Sequence, residues 1–309
     1  MKLSTEPIIV VGMHRSGTSL VTRLLEAGGV FTGWLRDEND EALFFLKRNE
    51  AILQACGGSW ENPGAIDGLL ASESAKARIV ERLEADIRST SFWSFIGFRS
   101  RAEIGQWAWK DPRNSLLLEL WLEIFPRARV IHVVRNGVDV ARSLAVRANR
   151  DILSAEKGQG RSRSRYWREL RPERLVEWYQ YLWTRFGPNG RLRCMGVPRT
   201  LLPTAGFELW EDYLRRIESG MSCVQHSLTI RYEDLLSDPE ESIKALEAFA
   251  GVRFETGVLE ACCQSLRPQR AFAFKADHCP DSLLEMARRS VWMHRFYPEL
   301  EISRSSQTS

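Results

Sequence analysis

The chain has 309 residues, 44% hydrophobic and 27% charged, a balance that fits one large α/β domain and excludes disorder, collagen-like repeats and coiled coil. Lys and Arg number 43 against 40 Asp and Glu, and a formal net charge of +3 excludes a strongly basic nucleic-acid binder on bulk charge. No stretch approaches about 18 uninterrupted apolar residues, so no membrane span is expected.

The opening MKLSTEPIIV has one Lys and an apolar run too short for a signal peptide, so the expected location is cytoplasmic. Six cysteines (Cys56, Cys194, Cys223, Cys262, Cys263, Cys279) lack any C-x-x-C spacing and read as reduced structural thiols. With the histidines equally dispersed, no metal site is expected.

Ile8-Ile9-Val10-Val11 is a continuous apolar run of the kind found in a buried parallel strand. A glycine-bounded loop, 12–17, follows, and Leu20, Leu24 and Leu25 then recur at helical spacing over 18–27. Helices are predicted over 41–56 and 71–89, the latter rich in i,i+4 charge pairs. A strand at 107–110 precedes Asp111-Pro112-Arg113 and a helix over 115–124; Arg129 to Arg135 reads as another buried strand, and Asn136-Gly137 turns into a helix over 138–149.

Residues 150–222 differ in texture, being rich in Arg, Trp and Pro without a convincing strand; helices are expected near 172–186 and 207–217. A strand at 225–231, a helix over 239–250 and a final helix over 281–296 complete the chain, before a frayed polar tail at 303–309. Strands alternating with helices predict an α/β fold: a three-layer parallel sheet with helices on both faces, one domain over 1–309. The 150–222 segment is then a helical, Arg/Trp-rich insertion.

Gly12-Met13-His14-Arg15-Ser16-Gly17-Thr18-Ser19 has the G-x-x-x-x-G frame of a phosphate loop, in which backbone N–H groups and a helix N-terminus attract an anion. A nucleotide triphosphatase would carry Lys where Thr18 stands, and the cation here is Arg15, inside the loop. The later strand likewise ends in Arg135, where a magnesium-binding site would place an acidic residue. Ser143 lies eight residues on, about two helical turns away, and Arg135 with Ser143 could face a second phosphate. Two anion sites without a metal carboxylate point to a nucleotide phosphorylated at separate corners.

These residues resemble the sulfotransferases. Arg15-Ser16-Gly17-Thr18-Ser19 after an apolar strand is similar to that family's 5′-phosphosulfate loop, and Arg135-x7-Ser143 to its 3′-phosphate motif. Lys110-Asp111-Pro112-Arg113 and Arg231-Tyr232-Glu233-Asp234 also resemble segments of bacterial members; the likeness covers about 7–146 and 228–252. The resemblance implies the P-loop NTPase-like sulfotransferase fold and metal-independent transfer of a sulfuryl group from 3′-phosphoadenosine 5′-phosphosulfate (PAPS) to an acceptor hydroxyl, on a small molecule or glycan. It assigns the loop His14, Arg15, Ser16, Gly17, Thr18 and Ser19 with Arg135, Ser143 and Tyr232 to the donor nucleotide. Arg15 and Lys110 would stabilise the transferring group, Lys110 by likeness to the tyrosylprotein enzymes.

Candidate bases are Asp37, Glu38, Asp40 and Glu41; the Glu-x-x-Phe-Phe pattern, similar to heparan 3-O-sulfotransferases, favours Glu41. His132, in an apolar run, reads as a core residue, and Asp111 as a helix cap or an orienting partner of Arg113. The family's C-terminal Arg-Lys-Gly contact has no clear counterpart, although Arg267, Arg270 and Lys275 fall in that region. The basic, aromatic run from Lys157 to Trp183 suits a carbohydrate acceptor, or else is an Arg/Ser loop before a helix with core aromatics. The competing functions are a kinase-like phosphotransferase and a PAPS-binding homologue without catalysis. Oligomeric state is left open.

Overall fold

The structure, a computed structural model, describes residues 6–156 and 198–300, apart from 256, 258–260, 262, 265 and 277–278. The expected helix over 172–186, the Arg/Trp run from Lys157 to Trp183, Cys194, Cys262 and the polar tail lie outside the described residues.

Four strands, β1 (Ile8–Val11), β2 (Ala108–Lys110), β3 (Arg129–Val134) and β4 (His226–Arg231), form a parallel sheet in the order β2-β1-β3-β4. Alternation along each central strand divides the core in two. Ile9, Val11, Val130 and Val134 enter one hydrophobic cluster, while Ile8, Val10, Ile131 and Val133 enter the other. The smaller cluster packs under α1 (Thr18–Ala27) and a later helix, Pro239–Ala250, the larger under the remaining principal helices.

Between α1 and β2 lie α2 (Leu43–Ala55), α3 (Asp67–Leu70), α4 (Glu73–Arg88) and α5 (Trp93–Ile96). Phe45 of α2 stacks on Trp109 at 4.2 Å between centroids, and Trp121 meets Phe45 edge-on at 5.2 Å. This aromatic block fixes α2 and β2 together, each pair adding about 0.5–1.5 kcal/mol beyond area burial. Then come α6 (Asn114–Ile124), α7 (Gly137–Glu156) and α8 (Pro203–Met221). Part of the 150–222 segment is therefore core: α8 lies so close to the start of α7 that a Cβ on Gly137 would stand 2.7 Å from Phe207 and Trp210.

After β4 run α9 (Tyr232–Ser237) and α10 (Pro239–Ala250). The expected single helix over 281–296 is two, α11 (Asp281–Arg289) and α12 (Val291–Phe296). The break falls at Ser290, in extended conformation, whose hydroxyl caps α12 by accepting from the Met293 N–H at 3.3 Å. Among the described residues no helix is long and apolar enough to cross a membrane, and Cys56, Cys223, Cys263 and Cys279 form no disulfide.

The connection from β1 leaves to β2 on one side, and the chain then returns past β1 to β3 on the other. Open α/β sheets bind ligands at such a reversal, beyond the carboxyl ends of the strands. The loop after Val11 and the turn after Val134 meet there.

Candidate active site

The loop after β1 needs its glycines for two different contacts. Gly12, at φ +152°, passes so close to β3 that a Cβ would stand 2.5 Å from the Val133 carbonyl oxygen. Ser115 secures it from below, accepting from the Gly12 N–H at 2.9 Å. Gly17, at φ +94°, lies under the Tyr232 ring, 2.3 Å from where its Cβ would be. Arg15 is itself left-handed, at φ 72°, an uncommon state for a residue with a side chain. No side chain among the described residues caps the N-terminus of α1, which leaves its partial positive charge directed at the space above the loop.

That space is a cavity of about 600 Å³. His14, Arg15, Gly17, Thr18, Ser19, Glu41, Lys110, Arg135 and Tyr232 all line it. Ser16, 1% exposed, is buried beneath, and Ser143 reaches the site through Arg15, whose Nε donates to the Ser143 hydroxyl at 2.8 Å. Arg135 donates to the Arg15 carbonyl at 3.2 Å, with its guanidinium 4.7 Å from the Tyr232 ring centre, and its buried Nε has no partner among the described residues. Burial first, then the charges of Arg147 and Arg135, lowers the pKa of Arg15. Such a crowd of cations favours an anion between them.

The other end of the cavity is organised around Glu41. Asp37 shapes the preceding loop, accepting from the N–H groups of Asn39 at 2.9 Å and Glu41 at 2.8 Å. Glu41, 5% exposed, faces Lys110 Nζ at 3.4 Å and Arg113 Nη1 at 3.2 Å. Burial pushes its carboxyl up to about 7, against the opposing pull of Lys110. Lys110, at the end of β2, is 1% exposed and also donates to the Asn39 carbonyl, which accepts from the Ser19 hydroxyl as well at 2.6 Å. One carbonyl thus joins the first turn of α1 to the end of β2.

Asp111 orients Arg113 and does not cap α6, which has no side-chain cap among the described residues. Its Oδ1 accepts from the Arg113 N–H at 3.0 Å and from Arg113 Nη1 at 2.9 Å, while Asn49 donates to Oδ2 at 2.8 Å. Glu50 takes the other side of the guanidinium, at 2.9 Å from Nη2. Of the other carboxylates of the 37–41 loop, Asp40 pairs with Arg23 at 2.8 Å and Asp37 holds the turn, while Asp37 and Glu38 also line the cavity.

His14 is buried with its ring 4.4 Å from that of Trp60, and its Nε2 has no partner among the described residues. Burial, followed by the charge of Arg113, holds its pKa well below the ordinary histidine value, so it is neutral at pH 7. His132 is buried against Phe296, 5.7 Å between rings, away from the cavity, with its pKa lowered by burial to about 4.

Residues absent from the sequence-based set also line the cavity: Arg113, Glu50, Trp60, Arg147 and Arg270. Arg113 stood within a segment already singled out, and Arg147 lies one helical turn beyond Ser143; no local signal marked Trp60 or Glu50. Among the described residues no group of three His, Cys, Asp or Glu side chains could hold a metal.

A family model described as "Sulfotransferase family" matches residues 7–191, and one described as "Sulfotransferase domain" matches 115–278. Among solved structures, the chain is similar to the sulfotransferase domain from the Synechococcus PCC 7002 olefin synthase, at 16% identity over 93% of this chain and 95% of that one, with a TM-score of 0.48. It is also similar to the sulfotransferase domain from the curacin biosynthetic pathway, at 17% identity over 93% and 98%, TM-score 0.49. A sulfotransferase from Alicyclobacillus acidocaldarius is similar at 17% identity over 95% and 93%, TM-score 0.45. No curated protein matches the chain by sequence.

Proposed function

Because this chain belongs to the sulfotransferase family and is a transferase enzyme, we propose that it moves a sulfuryl group from PAPS to the hydroxyl of a carbohydrate or glycoconjugate acceptor. The observation that carries the reading is the pairing of two unlike sites in one cavity. Arg15, Ser143 and Arg135 gather over an uncapped helix N-terminus, and a buried Glu41–Lys110 pair stands beside them. The first arrangement suits the phosphates of the donor: the orphaned Arg135 Nε and the glycine-lined floor both fit an anion. The second suits proton removal beside a cation.

In the proposed reaction Glu41 accepts the acceptor's hydroxyl proton, and the hydroxyl oxygen forms a new bond to sulfur. The bond from sulfur to the 5′-phosphate oxygen breaks in line, its electron pair leaving with 3′-phosphoadenosine 5′-phosphate (PAP). Lys110 and Arg15 offset the negative charge that grows on the sulfuryl and bridging oxygens. A carboxyl raised to about 7 is well matched to a base working near neutrality. Trp60 and Leu46 on the wall offer an apolar face on which a sugar ring could lie. We extend the proposal to the whole chain as one domain acting in the cytoplasm without a metal.

Calorimetry with PAP against Mg-ATP tests the donor. The expected result is metal-independent PAP binding, weakened at least tenfold, about 1.4 kcal/mol, in Arg135→Ala. Preference for Mg-ATP would turn the reading toward a kinase.

A further inference from the structure

Asp139 sits in the first turn of α7, 4% exposed, and does not cap its own helix. That task falls to Asn136, whose Oδ1 accepts from the N–H groups of Val138 at 3.0 Å and Asp139 at 3.3 Å. The Asp139 carboxylate instead reaches across the molecule. Oδ1 accepts from the Phe274 N–H at 2.8 Å, and Oδ2 from the Ala273 N–H at 3.1 Å.

A second fastening lies at Arg270, three residues before Ala273. Arg135 Nη2, 3.7 Å from Asp139 Oδ2, donates to the Arg270 carbonyl at 3.2 Å. Packing adds to these bonds, with Phe274 in the main core and Phe272 edge-on to Tyr297 at 6.0 Å. This stretch consists of two short turns, Pro268–Arg270 and Ala273–Lys275, with Phe274 its one buried side chain and Phe272 left-handed at φ 50°. Its Arg270 side chain lines the cavity beside Arg15 and Arg135.

We propose that Asp139 is a positioning residue that straps the 268–275 segment across the end of the cavity and so presents Arg270 to the anion held by Arg135. This rests on the donor reading above. Charge explains why a strap is needed. Arg270 belongs to a crowd of like charges with Arg15, Arg135 and Arg147, which without an anion repels it outward. A buried carboxylate gripping backbone N–H groups holds the segment in place without occupying the Arg270 guanidinium itself.

Two measurements on the full chain test this. Limited trypsin digestion reads the strap directly at Arg270–Ala271 and Lys275–Ala276, with no nucleotide present. Asp139→Ala is expected to speed cleavage there at least several-fold while circular dichroism stays native, and Asp139→Asn, which keeps one acceptor oxygen, to give a smaller increase. Calorimetry with PAP then reads what the strap serves. Asp139→Ala and Arg270→Ala should each weaken binding about tenfold, and the double variant no more than the stronger single one.

Unchanged cleavage in both Asp139 variants overturns the strap. Faster cleavage with unchanged PAP affinity, or losses that multiply in the double variant, overturns the delivery of Arg270. Should Asp139→Ala not fold, Asp139→Asn against Arg270→Ala gives the same comparison. Wild-type protein that fails to bind PAP removes the donor reading, and the tryptic result then stands apart from it.

Discussion

The two ends of the cavity are built on opposite electrostatic plans. At the β1–β3 end the cations Arg15, Arg135, Arg147 and Arg270 meet over an uncapped helix, and the nearby carboxylate, Asp139, is turned toward backbone N–H groups. At the β2 end Glu41, Asp111 and Glu50 are matched against Lys110 and Arg113 in one network, buried except at Glu50. The first end is left with positive potential that an arriving anion satisfies. The second is already close to neutral, so what it offers is a carboxylate whose proton affinity is set by its surroundings. A group-transfer site needs both: one fixed charge to hold the leaving group, and one proton that can move.

Substitutions that separate the ends should therefore have different signatures. The largest effect belongs to Glu41→Gln, which keeps shape and removes the proton acceptor. We expect kcat to fall by about 10²–10⁴-fold, with PAP affinity unchanged by calorimetry. A parallel loss of PAP binding would show that the two ends are not independent.

Gly17→Ala should do the reverse at smaller cost. The left-handed φ of +94° and the Tyr232 ring 2.3 Å from the new Cβ leave a side chain no room without moving the tyrosine. PAP affinity should drop roughly tenfold to a hundredfold, while the pH at which activity rises stays where it was. Wild-type affinity in this variant would mean that Tyr232 has no part in holding the nucleotide.

The same contrast explains how much was legible in the sequence. The phosphate loop is contiguous, and its glycines, Arg15 and the flanking strand and helix could be read together within about a dozen residues. Arg135 and Ser143 were readable because helical spacing fixes their relation. The sheet followed from apolar runs at Ile8–Val11 and Arg129–Val134, buried on both faces. The β2 end is assembled from three separated stretches, around Glu41, Glu50 and Arg113, and the contacts of Glu41 and Glu50 with Lys110 and Arg113 each span more than 60 residues. Lys110 and Glu41 could be named singly, and Asp111 as a partner of Arg113, but the meeting of Glu41 with both Lys110 and Arg113 could not. Arg270 was legible only as one of several cations after α10, since the carboxylate that fastens its segment lies 135 residues earlier, in α7. Ser290 concealed a helix break because helical periodicity continues across it.

The subtlest test concerns how the β2 end sets its proton affinity. Burial raises the Glu41 carboxyl to about 7, and Lys110 and then Arg113 act against that rise. A base must be ionised to work, so kcat/KM should increase with pH through the region near 7 and level off above it. Arg113→Met removes one of the opposing cations together with the partner of Glu41 Oε2. Ionised Glu41 then loses more stabilisation than neutral Glu41, and the acid limb must move to higher pH. At pH 8 and above the variant should recover much of its activity, whereas at pH 6 the deficit should be several-fold larger. Arg113→Lys keeps a charge without the fork and should fall between the two. An acid limb that stays in place in Arg113→Met, with activity lowered equally at every pH, would mean that Arg113 shapes the acceptor wall and leaves the proton affinity of Glu41 to Lys110 and burial.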